Sequence, residues 1–356
     1  MGTGMKKKVF LYFKMLKLHR MIHAFSIFRK EGLDGVKYHF YLVRDKEKRL
    51  GKDCGREYDI TPVSEDRTEK EKRYPPLSFE EYEAPVVSIM IPVYNQFVYT
   101  YRCLEYIKKY GDNIAYEIIV GDDCSSDRTK ELEKIITGIR VIRHEKNCQF
   151  LINCNQISKE ARGKYLVFLN NDTQVQKGWL EALVNLMEED QAIGLAGSKF
   201  IYPTGLVQEA GGIVWKDASV LQFGNNRQPG EEELNIKRET DYISGASIII
   251  RKELWDEIGG FDERFAPAYY EDVDLAFQVR EKGYKVVYQP ESEVVHFEGI
   301  TEGGTREADE RKKRQIEENR EKFAAKWGKI LREQHYEARE YPRLAEKIRR
   351  GKQNGG

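Results

Sequence analysis

Three runs of the sequence end in residues that are poor strand formers but good ligands: "IPVYN" at 91–95, "VGDD" at 120–123 and "LNNDT" at 169–173. Each follows β-branched or aromatic residues, so each sets a tyrosine, an amide or a carboxylate where a strand gives out. Asp122 and Asp123 could accept from a base N–H or a ribose hydroxyl, and equally could cap the helix that follows. Asp172 is a hard oxygen donor of the kind that holds Mg2+ or Mn2+ against a diphosphate, although taken singly it reads first as a turn residue. Further on, "YYEDVDLAF" supplies Glu271, Asp272 and Asp274 at a helix start, where the dipole alone would favour one or two acids. His296 closes the β-branched run "SEVVH"; such a histidine is usually structural and can also complete a metal shell.

These residues need elements to hold them. "VVSIMIPVY", "AYEIIVGDD", "GIRVIRH" and "KYLVFLN" read as strands, and "TYRCLEYIKKY", "SSDRTKELEKII", a stretch near 151–161 and "GWLEALVNLMEE" read as helices. Alternating strands and helices require crossover connections and hence a mostly parallel sheet, whose ligands bind beyond the carboxyl ends of the strands. From about Ile193 to Phe297 the pattern is less regular, with short strands and Gly-rich turns. The helix "YEDVDLAFQVREKG" is expected to bury Val273, Leu275, Ala276, Phe277 and Val279 and to stop at Gly283. Beyond Thr305 the chain is charged helix, in which Ile316, Phe323, Trp327, Ile330 and Leu331 form one face for docking on the domain.

Length and charge narrow the function classes. A chain of 356 residues suits one large domain with appendages. Its 59 Lys and Arg balance 59 Asp and Glu, so no global basic field points to nucleic acid. Residues 1–50 depart from that balance, with 13 Lys and Arg against 4 Asp and Glu. Within them, residues 5–30 align Leu11, Met15, Leu18, Ile22 and Phe25 beside Lys14, Lys17, Arg20 and Arg29. This stripe suits an anionic membrane surface, or equally a helix packed on the main domain or on a partner. Residues 45–85, charged and carrying Pro62, Pro75, Pro76 and Pro85, read as a linker laid over the surface. No apolar run approaches the roughly 20 residues of a spanning helix. The five cysteines contain no C-x-x-C pair, so a reducing cytosol is the expected compartment.

In this order and spacing, "IPVYN", "VGDDCSSDRT", "ARGKYLVFLNNDT" and "GGFDERF…YYEDVDLAFQVREKGYKVVYQPESEVVHFEG" resemble glycosyltransferase family 2, from about Val86 to Gly299. "GSKFIYPTGLVQEAGGIVW" looks like the bacterial branch that builds rhamnose-rich, O-antigen and capsule polysaccharides. The resemblance implies an α/β chain of GT-A fold. A Rossmann-like nucleotide-binding half with a mostly parallel central sheet joins an acceptor-binding half, with helical N- and C-terminal appendages. The expected divisions are 1–50, the linker 51–85, the GT-A domain 86–304 and charged helices 305–356.

The activity implied is inverting transfer of a sugar from a nucleoside diphosphate sugar to a hydroxyl of a growing, or lipid-linked, surface glycan. Its place would be the cytoplasm or the inner face of the cytoplasmic membrane. By the family's pattern, Pro92, Val93, Tyr94, Asn95, Asp122, Asp123, Arg162, Asn170 and Asn171 embrace the nucleotide, and Gly245 and Ala246 lie beside donor and acceptor. Asp172 and His296 would hold Mn2+ or Mg2+, Asn170 standing where the family's D-x-D motif begins with Asp. Asp272 would be the base, with Glu271 beside it. Two alternatives stand: a nucleotidyltransferase, for which "IPVYNQF" lacks the Gly-rich basic loop, and a non-catalytic scaffold of a polysaccharide-assembly complex.

Overall fold

A computed structural model describes residues 57–63, 74–111, 114–298 and 306–350. The basic stripe at 5–30 and the rest of segment 1–50 lie outside the described residues. The chain divides into two compact units, Cys54–Glu333 and a second made of Met1–Asp53 with Gln334–Gly356. Of the second unit the description covers mainly one helix, Tyr341–Arg350. No helix among the described residues is long and apolar enough to cross a membrane.

The larger unit is built on a ten-stranded sheet. Its principal elements begin with β1 (Val87–Val93), α1 (Phe97–Tyr110), β2 (Tyr116–Asp122), β3 (Arg140–Arg143), α2 (Gln149–Ile157) and β4 (Tyr165–Leu169). There follow β5 (Thr173–Val175), α3 (Trp179–Glu189), β6 (Ile193–Ile201), β7 (Val207–Glu209) and the hairpin β8 (Gly212–Val214) and β9 (Val220–Gln222). The unit ends with β10 (Ser247–Arg251), α4 (Lys252–Ile258), α5 (Glu271–Glu281), β11 (Lys285–His296) and α6 (Arg306–Gln334).

From one edge the strands run β3, β2, β1, β4, β10, β6, β11. The first four are parallel to one another, β10 is antiparallel to both its neighbours, and β6 and β11 are again parallel. The parallel half meets the expectation from the alternating pattern. In the other half β10 reverses because its connection returns through the Gly-rich turns rather than through a crossover helix.

All seven positions of β1 and all five of β4 are buried, as expected for parallel strands covered on both faces. Each large apolar side chain so enclosed contributes roughly 1.5–3 kcal/mol. At Gly121 in β2 an added Cβ would lie 2.1 Å from Asn153 Oδ1 of α2, so only glycine lets helix and strand approach this closely.

Two expectations need correction. "SSDRTKELEKII" forms only a 3-10 turn, Arg128–Glu131, and one helical turn, Leu132–Ile135. Its Asp127 cap is shared, donors being both Thr129 N and the first amide of α1, Phe97 N. Within the segment read as a surface linker, Tyr74 and Phe79 belong to the core, and Leu77–Ser78 pairs with Ile136–Thr137. Asp59 is bound there by Lys109, Tyr106 and Tyr110. The helical faces read from periodicity agree better: α5 buries Val273, Leu275, Ala276, Phe277 and Val279, and α6 buries Phe323, Trp327 and Leu331.

Candidate active site

Because β1, β2 and β4 are parallel and in register, their carboxyl ends open on one edge of the sheet. A cavity of about 910 Å3 lies at that edge. One wall carries Pro92, Val93, Tyr94, Asp123 and Asn170 to Asp172 from the strand ends. The others bring Glu209, the β9 residues Val220 to Gln222, Ser244 to Ala246, Tyr269 to Val273, and His296. Of the fifteen residues expected at the site, three do not line it: Asn95, Asp122 and Arg162.

Those three have other partners. Asn95 stands in the left-handed region at φ 57°, and its side chain accepts from Ser126 N at 2.8 Å, tying the β1 loop to the β2 loop. Asp122 accepts from Ser125 N at 2.9 Å and pairs with Arg143 at 3.3 Å, which leaves it bracing the loop. Arg162 precedes β4 rather than following it, so the strand direction carries it to the opposite edge, where Nε donates to Glu117 at 2.9 Å. Asp123 does reach the cavity, and also accepts from Cys148 N at 2.7 Å and Gln149 N at 2.8 Å at the start of α2.

Asp172 and His296 come together because β5 pairs with β11, which sets His296 opposite Thr173. His296 Nε2 lies 3.3 Å from Asp172 Oδ1, both side chains nearly enclosed. Gln208 Nε2 donates to Glu298 at 2.7 Å, which turns the Gln208 amide oxygen toward His296 Nδ1 at 3.1 Å. Nδ1 is therefore the N–H, and in the neutral ring Nε2 presents its lone pair to a carboxylate oxygen. Two lone pairs facing one another call for a proton or a cation between them. Burial pulls the imidazole pKa down, but the acidic groups of Asp172, Glu298 and Glu209, Asp172 foremost, together outweigh it and raise the value above that of an ordinary histidine. An oriented imidazole beside a carboxylate is a donor set that fits Mn2+ or Mg2+.

Among the described residues, Asp123, His144 and Cys148 form a three-member cluster able to hold a metal. Its ligand atoms are already engaged. Both Asp123 oxygens take backbone N–H groups, His144 Nε2 meets Asn153 Oδ1 at 2.9 Å, and burial with Asp123 pushes the Cys148 thiol up to about 12. A thiol so disinclined to ionise is a poor ligand.

Asp272 enters from the first turn of α5. The two residues before that helix, Tyr269 and Tyr270, have φ of 75° and 72°, a conformation that costs side-chain-bearing residues about 1–3 kcal/mol each. Neighbours hold it in place: Tyr270 Oη donates to Ala218 O at 2.8 Å, and Asn319 Nδ2 reaches Phe265 O, Ala268 O and Tyr269 O at 2.8–3.0 Å. Asp272 Oδ2 accepts from Gly245 N at 2.9 Å and Oδ1 from Val273 N at 2.8 Å. Burial raises the Asp272 pKa above the usual carboxylate value, those N–H groups opposing it. Burial and the Asp272 charge raise Glu271 much further, and among the described residues nothing hydrogen-bonds its Oε2. The pair is thus divided between an acid that ionises first and one that keeps its proton.

Gln208 and Glu209 are not marked by the sequence as site residues. Their signal was an amide and an acid between Val207 and the "AGG" turn, too short a strand to show which face they take. The cavity-lining Tyr242, Asn225 and Gln222 had no signal beyond residue type.

The comparisons bear on this geometry. Residues 88–259 match the family model for glycosyl transferase family 2. An uncharacterized protein, y4gI, of Sinorhizobium fredii is 28% identical over 62% of this chain and 25% of its own length. The O-antigen biosynthesis protein RfbC of Myxococcus xanthus is 32% identical over 41% of this chain and 12% of its own. The chain thus spans a quarter or less of the length of these two relatives. Among solved structures, a mannosyltransferase from Pyrobaculum calidifontis, determined with GDP-Man and Mn2+, superposes with a TM-score of 0.52 at 16% identity. That superposition covers 91% of this chain and 79% of the mannosyltransferase, and it shows a shared GT-A fold. Residues 88–259 thus form a domain that matches glycosyl transferase family 2.

Proposed function

We propose that this cavity moves a sugar, with inversion, from a nucleoside diphosphate sugar to a hydroxyl of a bacterial surface glycan. The observation that carries this reading is one cavity holding a metal-competent Asp172–His296 corner and an ionisable, half-buried carboxyl, Asp272. Asp272 takes the proton of the acceptor hydroxyl as that oxygen bonds to the anomeric carbon. The bond from that carbon to the diphosphate breaks, and its electron pair leaves with the diphosphate oxygen. A divalent cation at Asp172 and His296 would act as a Lewis acid that stabilises the departing diphosphate. Asp123, Asn170 and Asn171 face the nucleotide and its phosphates, and Tyr94, exposed at the cavity mouth, borders the base. Surface-glycan assembly is supported by the likeness to RfbC, and a nucleotide-sugar donor with a divalent cation by the fold shared with the mannosyltransferase. A lipid-linked acceptor would suit a basic segment at 5–30.

The test is thermal stabilisation by UDP-, TDP- and GDP-sugars with Mn2+ or Mg2+. One donor should stabilise the chain strongly, and chelation should remove the effect. Asp172→Ala should weaken that metal-dependent binding at least about 10-fold, since loss of even an indirect metal partner costs 10–100-fold. Donor binding indifferent to both chelator and substitution would remove the metal from the reading.

A further inference from the structure

The cavity contains an acid that the proposed transfer does not use. Glu209, the last residue of β7, is 1% exposed yet lines the cavity. Its Oε1 accepts from Ser244 N at 2.9 Å. Nothing among the described residues reaches Oε2 in hydrogen-bonding geometry, although the Gln222 amide stands close enough to lower the pKa somewhat. The next residue, Gly245, donates to Asp272 Oδ2 at 2.9 Å. Two carboxyls therefore hang from adjacent N–H groups of one backbone segment, one of them the proposed base.

A buried carboxyl oxygen without a partner is costly, and native structures keep such a group where something else completes it. Burial, with the charge of Asp272, pushes the Glu209 carboxyl up to about 8 against the Ser244 N–H, so near neutrality it holds its proton. A neutral carboxyl both donates and accepts, as a sugar hydroxyl does. The same wall offers Tyr242, Asn225 and Gln222, an aromatic ring and two amides of the kind that fix polar ligands in orientation.

We propose that Glu209 binds, through Oε2, a sugar hydroxyl next to the reacting centre and so helps set which sugar the site accepts. This rests on the transferase reading above. The hydroxyl can belong to the donor's sugar or to the acceptor's, and the experiment separates them. Wild type, Glu209→Ala, Glu209→Asp and Glu209→Gln are compared with Mn2+ in the binding of UDP, TDP and GDP, and of UDP-glucose, UDP-galactose, TDP-rhamnose and GDP-mannose. Transfer to octyl glycosides is followed in parallel.

The free diphosphate that wild type prefers should bind all four proteins alike, which also reports an intact fold. If the hydroxyl is the donor's, the affinity that the sugar adds over its own diphosphate falls about 10-fold or more in Glu209→Ala. Glu209→Asp, which withdraws the carboxyl by one carbon, gives a similar loss and decides the matter if Glu209→Ala does not fold. Glu209→Gln, able to donate and accept, stays within about 3-fold. If the hydroxyl is the acceptor's, donor affinity is unchanged and the acceptor KM rises by the same factors. Unchanged donor increment and unchanged acceptor KM in Glu209→Ala or Glu209→Asp overturn the inference. A wild type that binds no nucleotide sugar overturns the transferase reading instead.

Discussion

Asp272→Asn is expected to bind donor with wild-type affinity and to transfer sugar about 10²- to 10⁴-fold more slowly, a loss of about 3–5 kcal/mol in the barrier. The substitution keeps the shape of the side chain, and its single amide oxygen can still accept from one of Gly245 N and Val273 N, so the cavity wall should stand. Proton uptake is removed, together with one backbone hydrogen bond. Glu271→Gln supplies the contrast: because burial and the neighbouring charge hold Glu271 protonated, an amide resembles its working form, and activity should stay within about 10-fold. The pH profile gives a second readout. A base works deprotonated and burial raises the Asp272 pKa, so kcat should fall as pH drops through a value above that of an ordinary carboxylate. The acid limb should vanish in whatever activity Asp272→Asn retains. Equal turnover in Asp272→Asn would remove the base from Asp272, and a loss in Glu271→Gln as large as in Asp272→Asn would assign it to Glu271.

Why Asp272 was legible in the sequence and Glu209 was not follows from how each is held. The strand-helix alternation announced the parallel half of the sheet, and in such a sheet strand ends meet on one edge, so Asp123 and Asp172 could be placed by counting elements. Asp272 stands in the first turn of an 11-residue helix whose buried residues were readable. Glu209 ends a three-residue strand, and its partner Ser244 is 35 residues away along irregular chain, so neither period nor spacing marks it. The placing of Asn95, Asp122 and Arg162 away from the cavity lining was illegible for a different reason. Their residue types suit a ligand, but saturation by Ser126 N, Ser125 N and Glu117 appears only when distant segments are packed together.

The same long-range dependence makes α6 a condition for the site, and Asp274→Ala tests it. Asp274 is fully buried and accepts from Trp327 Nε1 at 2.6 Å, Lys326 Nζ at 2.8 Å and Gln278 Nε2 at 2.8 Å. Burial raises its pKa even against Lys326, so the ion pair is not itself a net source of stability. Removing one partner is another matter, because it leaves the Trp327 N–H and part of the Lys326 charge unsatisfied in a closed interface. Breaking such a pair costs 3–5 kcal/mol in general, and since Lys326 retains Asp262 at 2.8 Å the expected value here is about 3 kcal/mol. For a unit of this size that lowers the melting temperature by roughly 5 °C. The loss should reach the site as well. Phe323 and Trp327 pack on Phe277 of α5 with ring centroids 4.8 and 5.5 Å apart, and Asn319 of the same helix holds the carbonyls of the strained segment before Asp272. Asn319→Ala should therefore reduce kcat more than it reduces stability, whereas Asp274→Ala should do the reverse. A melting temperature for Asp274→Ala within 1 °C of wild type would mean that α6 is held by its apolar face alone.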